Sequence, residues 1–253
     1  MTAHDHPMID IDHVSFAYGS ASAVGTDSTD EDRGAGDPTG TVLGLEDASL
    51  RIQPGECVLL CGPSGCGKTS LLRLVCGLED KKSGQIENGF KKISFLFQEN
   101  RLLPNLTALK NIEIFSPAGV NEIYALAAKI GLSPSDLNKF PRELSGGMQK
   151  RTAFLRTILS GCDLALLDEP FVGLDRDLRG VLIEILVSKI EREGLACLLV
   201  THDRFEAARL SHEIIELEPK GMGLSRVVRL NEPLSTRNER YEERVVSEQF
   251  GGV

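Results

Sequence analysis

The chain contains no apolar run approaching the ~20 residues that a membrane-spanning helix needs. Its opening stretch, Met1 to Asp12, is polar and carries no apolar core of a secretion signal. Any membrane process it serves is therefore expected to depend on other chains for the spanning. Positive charge is scarce as well: 28 Lys and Arg face 37 Asp and Glu, for a net charge of -9. That argues against a nucleic-acid partner, because phosphate backbones are bound by basic surfaces. Cysteine pairs at zinc-type spacing are missing too. Cys57 and Cys61 lie in an apolar strand pattern, Cys66 in a glycine-rich loop and Cys76 after the next helix, so reduced, buried thiols are the expectation. No internal repeat is visible. What remains, 41% hydrophobic and 26% charged residues over 253 positions, is the composition of an ordinary soluble protein with one core and room for an inserted subdomain.

Ile9, Ile11, Val14 and Phe16 open the chain with strand character. From Ser20 to Gly40 the composition turns to glycine, serine, threonine and acidic residues, with Val24 the one large aliphatic. Such a stretch has too little apolar surface to fold alone and is expected to be a mobile loop. Strand character returns at Thr41 to Ile52, and Pro54-Gly55 turns the chain into the apolar run Cys57 to Cys61. A helix is expected from the glycine-rich loop to Cys76, then a strand from Ile93 to Phe97. Residues 99 to about 160 read as mostly helical, punctuated by Pro104, Pro117, Pro134 and Pro141. Beyond them come a strand over Leu164 to Leu167, a helix over Arg176 to Glu193 stopped by Gly194, and a strand over Ala196 to Val200. Strands alternating with helices predict an α/β fold whose sheet is mainly parallel. The segment from Asn231 to Val253 reads as a short polar tail, in which Thr236 to Glu239 resembles a capping box for one last helix.

Three blocks carry chemistry. Gly62-Pro63-Ser64-Gly65-Cys66-Gly67-Lys68-Thr69 follows an apolar strand and opens a helix, the context of a phosphate-binding loop. Gly62, Gly65 and Gly67 let the backbone aim its amides at a β-phosphate, and the helix N-terminus adds partial positive charge. Lys68 reaches the β- and γ-phosphates, Thr69 offers a hydroxyl to Mg²⁺, and Ser70 touches the α-phosphate. Downstream, the apolar run Leu164 to Leu167 ends at Asp168, placed to hold Mg²⁺ through water, and Glu169, placed to polarise an attacking water. Between them, Ser145 with Gly146 and Gly147 reads as the N-terminus of a helix over Met148 to Ser160, which is also an anion site.

In this order and spacing the blocks resemble the ATP-binding cassette family of transporter ATPases, over about residues 9–230. The resemblance implies a P-loop NTPase core with a mainly parallel sheet, an antiparallel β edge and a helical subdomain inserted over about 99–160. It implies ATP and Mg²⁺ as ligands, and hydrolysis coupled to transport. It also implies a head-to-tail dimer in which Ser145, Gly146 and Gly147 face the γ-phosphate held by the other subunit. Separate transmembrane permease subunits are implied, with a solute-binding protein acting through them, and a peripheral place on the cytoplasmic face of the membrane. Further matches are Gln98 at the position that reaches Mg²⁺, Asp175 of Gly173-Leu174-Asp175 at the dimer-crossing loop, and His202 at the switch that contacts γ-phosphate and water. Tyr18 is placed like the adenine-stacking aromatic.

The chain departs from the common pattern at Met148 and Lys150, where many members carry glutamine, and at Cys66, where a small polar residue is usual. These substitutions are expected to touch peripheral contacts and to leave activity intact. Phe97 to Pro104 and Leu106 to Ile112 look like the nitrate, sulfonate and taurine importer group, which suggests uptake of a small solute. A cytosolic cassette ATPase, such as a cluster-assembly scaffold, is the alternative. Chromosome and repair ATPases are excluded by the 77 residues from Lys68 to Ser145, where they carry long coiled coils. A simple kinase has no use for Leu144 to Met148.

Overall fold

A computed structural model describes residues 8–18, 42–219 and 223–251. The acidic loop expected over 20–40 lies outside the described residues. In chain order the strands are β1 (Ile9–Tyr18), β2 (Val42–Ile52), β3 (Cys57–Cys61), β4 (Ser83–Asn88), β5 (Ile93–Leu96), β6 (Leu164–Asp168), β7 (Ala196–Val200), β8 (Glu213–Leu217) and β9 (Leu224–Arg229). The helices are α1 (Lys68–Val75), α2 (Ala108–Glu113), α3 (Val120–Lys129), α4 (Pro134–Leu137), α5 (Gly146–Ile158), α6 (Arg176–Glu193), α7 (Arg204–Leu210) and α8 (Glu239–Phe250).

β3, β6 and β7 set the centre of the fold. They read as continuous apolar runs because both of their faces are covered, as parallel strands require. The six-stranded sheet runs β5-β6-β7-β3-β8-β9, parallel throughout except for β9, which pairs antiparallel with β8. Successive side chains of each central strand go to opposite faces. Ala165 and Leu167 of β6 join Leu59, Leu199 and the helices from α2 to α7 in one buried cluster. Leu164 and Leu166 join Leu60, Leu198 and α1 in a second cluster, closed by the antiparallel sheet β2-β1-β4. The core is therefore two layers divided by one sheet, and the loops at the C-terminal ends of its parallel strands open on the same side.

Local caps set the helix boundaries. Asp175 accepts a hydrogen bond from the Leu178 amide at 2.9 Å to start α6, and Gly194, at φ 71°, ends it. α5 begins at Gly146, two residues earlier than its apolar pattern suggests, because Ser145 supplies the cap and both glycines adopt the first turn. Residues 99–107 are irregular rather than helical; the first helix there waits for the Thr107 cap, whose side chain accepts from the Lys110 amide.

The C-terminal segment is not a loose polar tail. The last helix exists, but Asn238 caps it by accepting from the Tyr241 amide at 3.1 Å. Thr236 sits in a 3-10 turn, Leu234–Thr236, where its hydroxyl donates to the Pro233 carbonyl instead. Leu234, Val245 and Val246 are buried in the first cluster. Arg237 is 4% exposed, and its guanidinium donates to the carbonyls of Ala208, Ser211, Leu230 and Glu232. A buried cation so satisfied fastens the segment to the end of α7.

Candidate functional site

The phosphate loop leaves β3 and enters α1 through backbone that glycine alone tolerates well. Gly62 has φ 136°, and a Cβ there would sit 2.6 Å from the Leu217 carbonyl oxygen. Gly67 has φ 101°, with the Gly44 carbonyl oxygen 2.1 Å from a would-be Cβ. Gly65, at φ 77°, needs the same freedom for its conformation alone. The loop closes on itself: Lys68 is buried, and its Nζ donates to the Gly62 and Pro63 carbonyls, both at 2.8 Å. Cys66 is buried beneath it, with its Sγ 3.6 Å from that Nζ. Ser70 is buried on α1, while Ser64 is exposed on the loop.

Two carboxylates meet this loop from the end of β6. Thr69 Oγ1 donates to Asp168 Oδ2 at 2.8 Å, tying α1 to the end of β6. Burial holds the Asp168 carboxyl above its ordinary range, partly offset by the hydrogen bond from Thr69. Glu169 follows at φ 50°, an uncommon conformation for a residue with a Cβ, and its N–H donates to the Val200 carbonyl at 2.9 Å. Its Oε1 lies 3.0 Å from Nε2 of His202, which leaves the end of β7. Residues from β3, β6 and β7, adjacent in the sheet, thus converge at one edge. A hydroxyl and a carboxylate 2.8 Å apart are the hard oxygen donors that suit Mg²⁺, which completes its shell with water and phosphate oxygens. The donor set fits that ion.

The other candidates stand apart from this cluster. Ser145 Oγ accepts from the Met148 amide at 3.3 Å, within its own helix, and α5 packs on α2, α3 and β5. Gly146 and Gly147 have ordinary φ, and a Cβ on either would meet nothing within 4 Å. Asp175 caps α6. Gln98 is exposed just past β5, beside Phe97, whose ring stacks on Phe95 at 3.9 Å and lies under the Arg101 guanidinium. Tyr18 ends β1 opposite Val42, and its side chain lies outside what the structure describes.

Two groups play a larger part than the sequence suggests. Under His202, the Thr201 hydroxyl donates to Glu206 at 2.5 Å, and Arg179 of α6 reaches Asp203 at 2.7 Å and Glu206 at 3.4 Å. Burial pushes the Glu206 carboxyl up. The spacing of Asp203 ahead of Glu206, a helix-start pattern, was the available signal. Lys150 is the second, and it is not peripheral. Its Nζ donates to the carbonyls of Glu169 and Val172, both at 2.8 Å.

Comparison with known proteins gives a consistent picture. A family model described as ABC transporter matches residues 45–172. Among curated relatives, an aliphatic sulfonates import ATP-binding protein of Pseudomonas savastanoi is 42% identical over 68% of this chain and 73% of its own length. Its counterpart from Bacillus cereus is 35% identical over 85% of this chain and 92% of its own. Among solved structures, a dimeric ATP-binding cassette in a post-hydrolysis state, bound to ADP and Pi, superposes with a TM-score of 0.71 at 26% identity. That match covers 88% of this chain and 99% of the other. A second dimeric cassette, described as that of a bacterial ABC transporter, reaches 0.73 at the same identity.

Proposed function

The chain belongs to the ABC transporter family, and from that premise we propose that it powers uptake of an aliphatic sulfonate, or a small solute of like chemistry, through a separate permease. It is the ATP-binding, ATP-hydrolysing subunit of such a system. The observation that carries the chemical reading is the convergence of Lys68, Thr69, Asp168, Glu169 and His202 where three adjacent strands end.

The loop amides of residues 62–70 surround the phosphates of ATP, and Lys68 turns from its own carbonyls toward the β- and γ-oxygens. Thr69 and Asp168 would hold Mg²⁺, with Gln98 joining them from just past β5, and the ion so held would supply positive charge against the phosphate oxygens. Glu169 accepts a proton from the attacking water and aims it, and His202 orients Glu169 and meets the γ-phosphate. Two chains pair head to tail, as the dimeric cassettes of similar fold support. In that pairing the α5 N-terminus, with Ser145, Gly146 and Gly147, caps the nucleotide on the partner, and Asp175 crosses the interface. Tyr18 stacks on adenine.

The permease docks beside Gln98. Arg156 ties this surface together, donating to the carbonyls of Asn100 and Arg101 and lying 5.9 Å from the exposed Phe115 ring. Leu103 and Ile114 are exposed on the same stretch, an apolar patch that a partner would cover. Among the described residues no helix is long and apolar enough to cross a membrane. Docked on a permease through that contact, the chain takes a peripheral place at the cytoplasmic face. A solute-binding protein delivers the cargo to the permease, whose walls choose it.

The test is genetic and biochemical together. Loss of the chain should abolish growth with an aliphatic sulfonate as sole sulfur source and spare growth on sulfate. The tagged chain should bring a polytopic membrane protein out of a detergent extract. Normal sulfonate growth sinks the cargo assignment, and recovery of the chain without any membrane protein sinks the transport reading in favour of a cytosolic cassette ATPase.

A further inference from the structure

Lys150 lies one turn into α5, on the helix that Ser145 caps, yet its charge is spent on a different segment. Its Nζ donates to the Glu169 and Val172 carbonyls, each at 2.8 Å. Those two carbonyls bracket Pro170-Phe171, so one ammonium clamps both ends of the turn that follows β6. This turn needs a clamp. Glu169 stands at φ 50°, a conformation that persists in a residue with a Cβ only where its surroundings over-determine it. Its N–H is fixed on Val200 and its carbonyl on Lys150. With the peptide groups on both sides of its Cα held, the direction of the Cα–Cβ bond is set, and the carboxylate at the end of that side chain lies 3.0 Å from Nε2 of His202. The ammonium is half-buried, and burial lowers its pKa. The carboxylates of Glu169, Glu206 and Asp168 oppose that shift and favour the charged form.

We propose that Lys150 is a positioning residue for hydrolysis: through two backbone carbonyls it sets the strained turn that aims Glu169 at the attacking water. This rests on Glu169 being the group that polarises that water. The lysine's hydrogen bonds go to the backbone carbonyls of Glu169 and Val172 rather than to Lys68, Thr69 or Asp168, so its removal should slow the chemical step without weakening ATP binding. A purely structural tie would instead lower stability and move both parameters together.

The experiment compares Lys150→Met, Lys150→Arg and Glu169→Gln in the full chain with Mg-ATP. Methionine keeps length and packing but has no donor, while arginine keeps the cation and several donors. The Met variant should lose about tenfold or more in kcat, the scale of a misaimed catalytic group, with KM for ATP changed less than about twofold. The Arg variant should recover most of that loss. A folded Met variant with the kcat of the parent overturns the proposal. So does a parallel loss in both variants with raised KM and a lowered melting temperature. Should the Met variant not fold, Lys150→Leu, which likewise has no donor and is shorter, is read for the same split. Glu169→Gln separates the two layers: if it still turns over, the assignment of Glu169 fails and this inference with it. If it is dead while the Met variant is normal, the lysine's role alone fails.

Discussion

The chain carries two glycine-rich turns at helix N-termini, and they are built on opposite logic. In the phosphate loop the chain itself demands glycine: Gly62 and Gly67 have φ 136° and 101°, and backbone carbonyls stand 2.6 and 2.1 Å from any Cβ placed there. At the start of α5, Gly146 and Gly147 have ordinary dihedrals and open space around them. Glycine in a helix forgoes roughly 0.5–1 kcal/mol relative to alanine, less in the first turn. Among the described residues, nothing offsets that at Gly146 or Gly147. The same contrast holds for their polar neighbours. Thr69 reaches across 99 positions of sequence to Asp168, whereas the Ser145 hydroxyl accepts from its own helix turn. One half of the site is shaped by folding; on the proposed function the other half serves a partner that approaches from outside, as a head-to-tail dimer would supply.

The sharpest way to break the contrast is to load a Cβ onto the folded half. Gly67→Ala sets a methyl against the Gly44 carbonyl in a left-handed conformation. It should cost about 3 kcal/mol, lowering the melting temperature by roughly 6–12 °C and removing ATP binding. A melt and a nucleotide titration decide it, and an unshifted melt with normal binding would refute the steric account. Next in size is Glu169→Gln. ATP should still bind, but hydrolysis should slow at least about 100-fold, some 2.7 kcal/mol on the barrier. The ATP-filled dimer should then accumulate on sizing with Mg²⁺, and unchanged turnover would take Glu169 out of the role.

A third prediction asks whether the two halves belong to different chains. Lys68→Ala and Ser145→Arg, made separately, should each give a nearly inactive dimer. Mixed, they form heterodimers in which one site has both lesions and the other pairs an intact Lys68 with an intact Ser145. Mixing should restore measurable hydrolysis, at a fraction of the parent rate if firing needs both sites. If heterodimers form and nothing returns, a covalently linked parent–mutant pair distinguishes a Ser145 acting in its own chain from a site that cannot fire alone.

This division also explains what could be read from the sequence. β3, β6 and β7 announce themselves because burial on both faces makes them unbroken apolar runs, and α6 because Asp175 and Gly194 mark its ends. β4, with the sequence SGQIEN, carries no such mark. It is a strand because it pairs with β1, a tertiary fact. β8 and β9 carry no clear mark for a related reason: they mix charged and apolar residues, and their strand character comes from pairing, β8 with β3 and β9, and the edge strand β9 with β8. In the site, the phosphate loop is legible because the chemistry dictates local spacing. Lys150 is not, because its partners are backbone carbonyls 19 and 22 positions away, and a carbonyl leaves no trace in residue identity.

The smallest effect is the most discriminating. In Gly147→Ala the new methyl meets nothing within 4 Å, and the backbone is already helical. The isolated chain should therefore keep its stability or gain a few tenths of a kcal/mol, since alanine forms helix better and loses less entropy on folding. ATP affinity of the phosphate loop should also be unchanged, because that loop is assembled by β3, α1 and β6. Hydrolysis should nonetheless fall, since the methyl occupies the space that a partner's γ-phosphate enters, and a gap of one methyl is enough to keep amides from an oxyanion. Melting curves and steady-state turnover on one preparation make the test. A variant that melts several degrees lower would mean that the glycine serves folding after all, and the two turns would then differ in degree only. Normal turnover at unchanged stability would mean that nothing approaches Gly147, and the α5 N-terminus would have to be removed from the site.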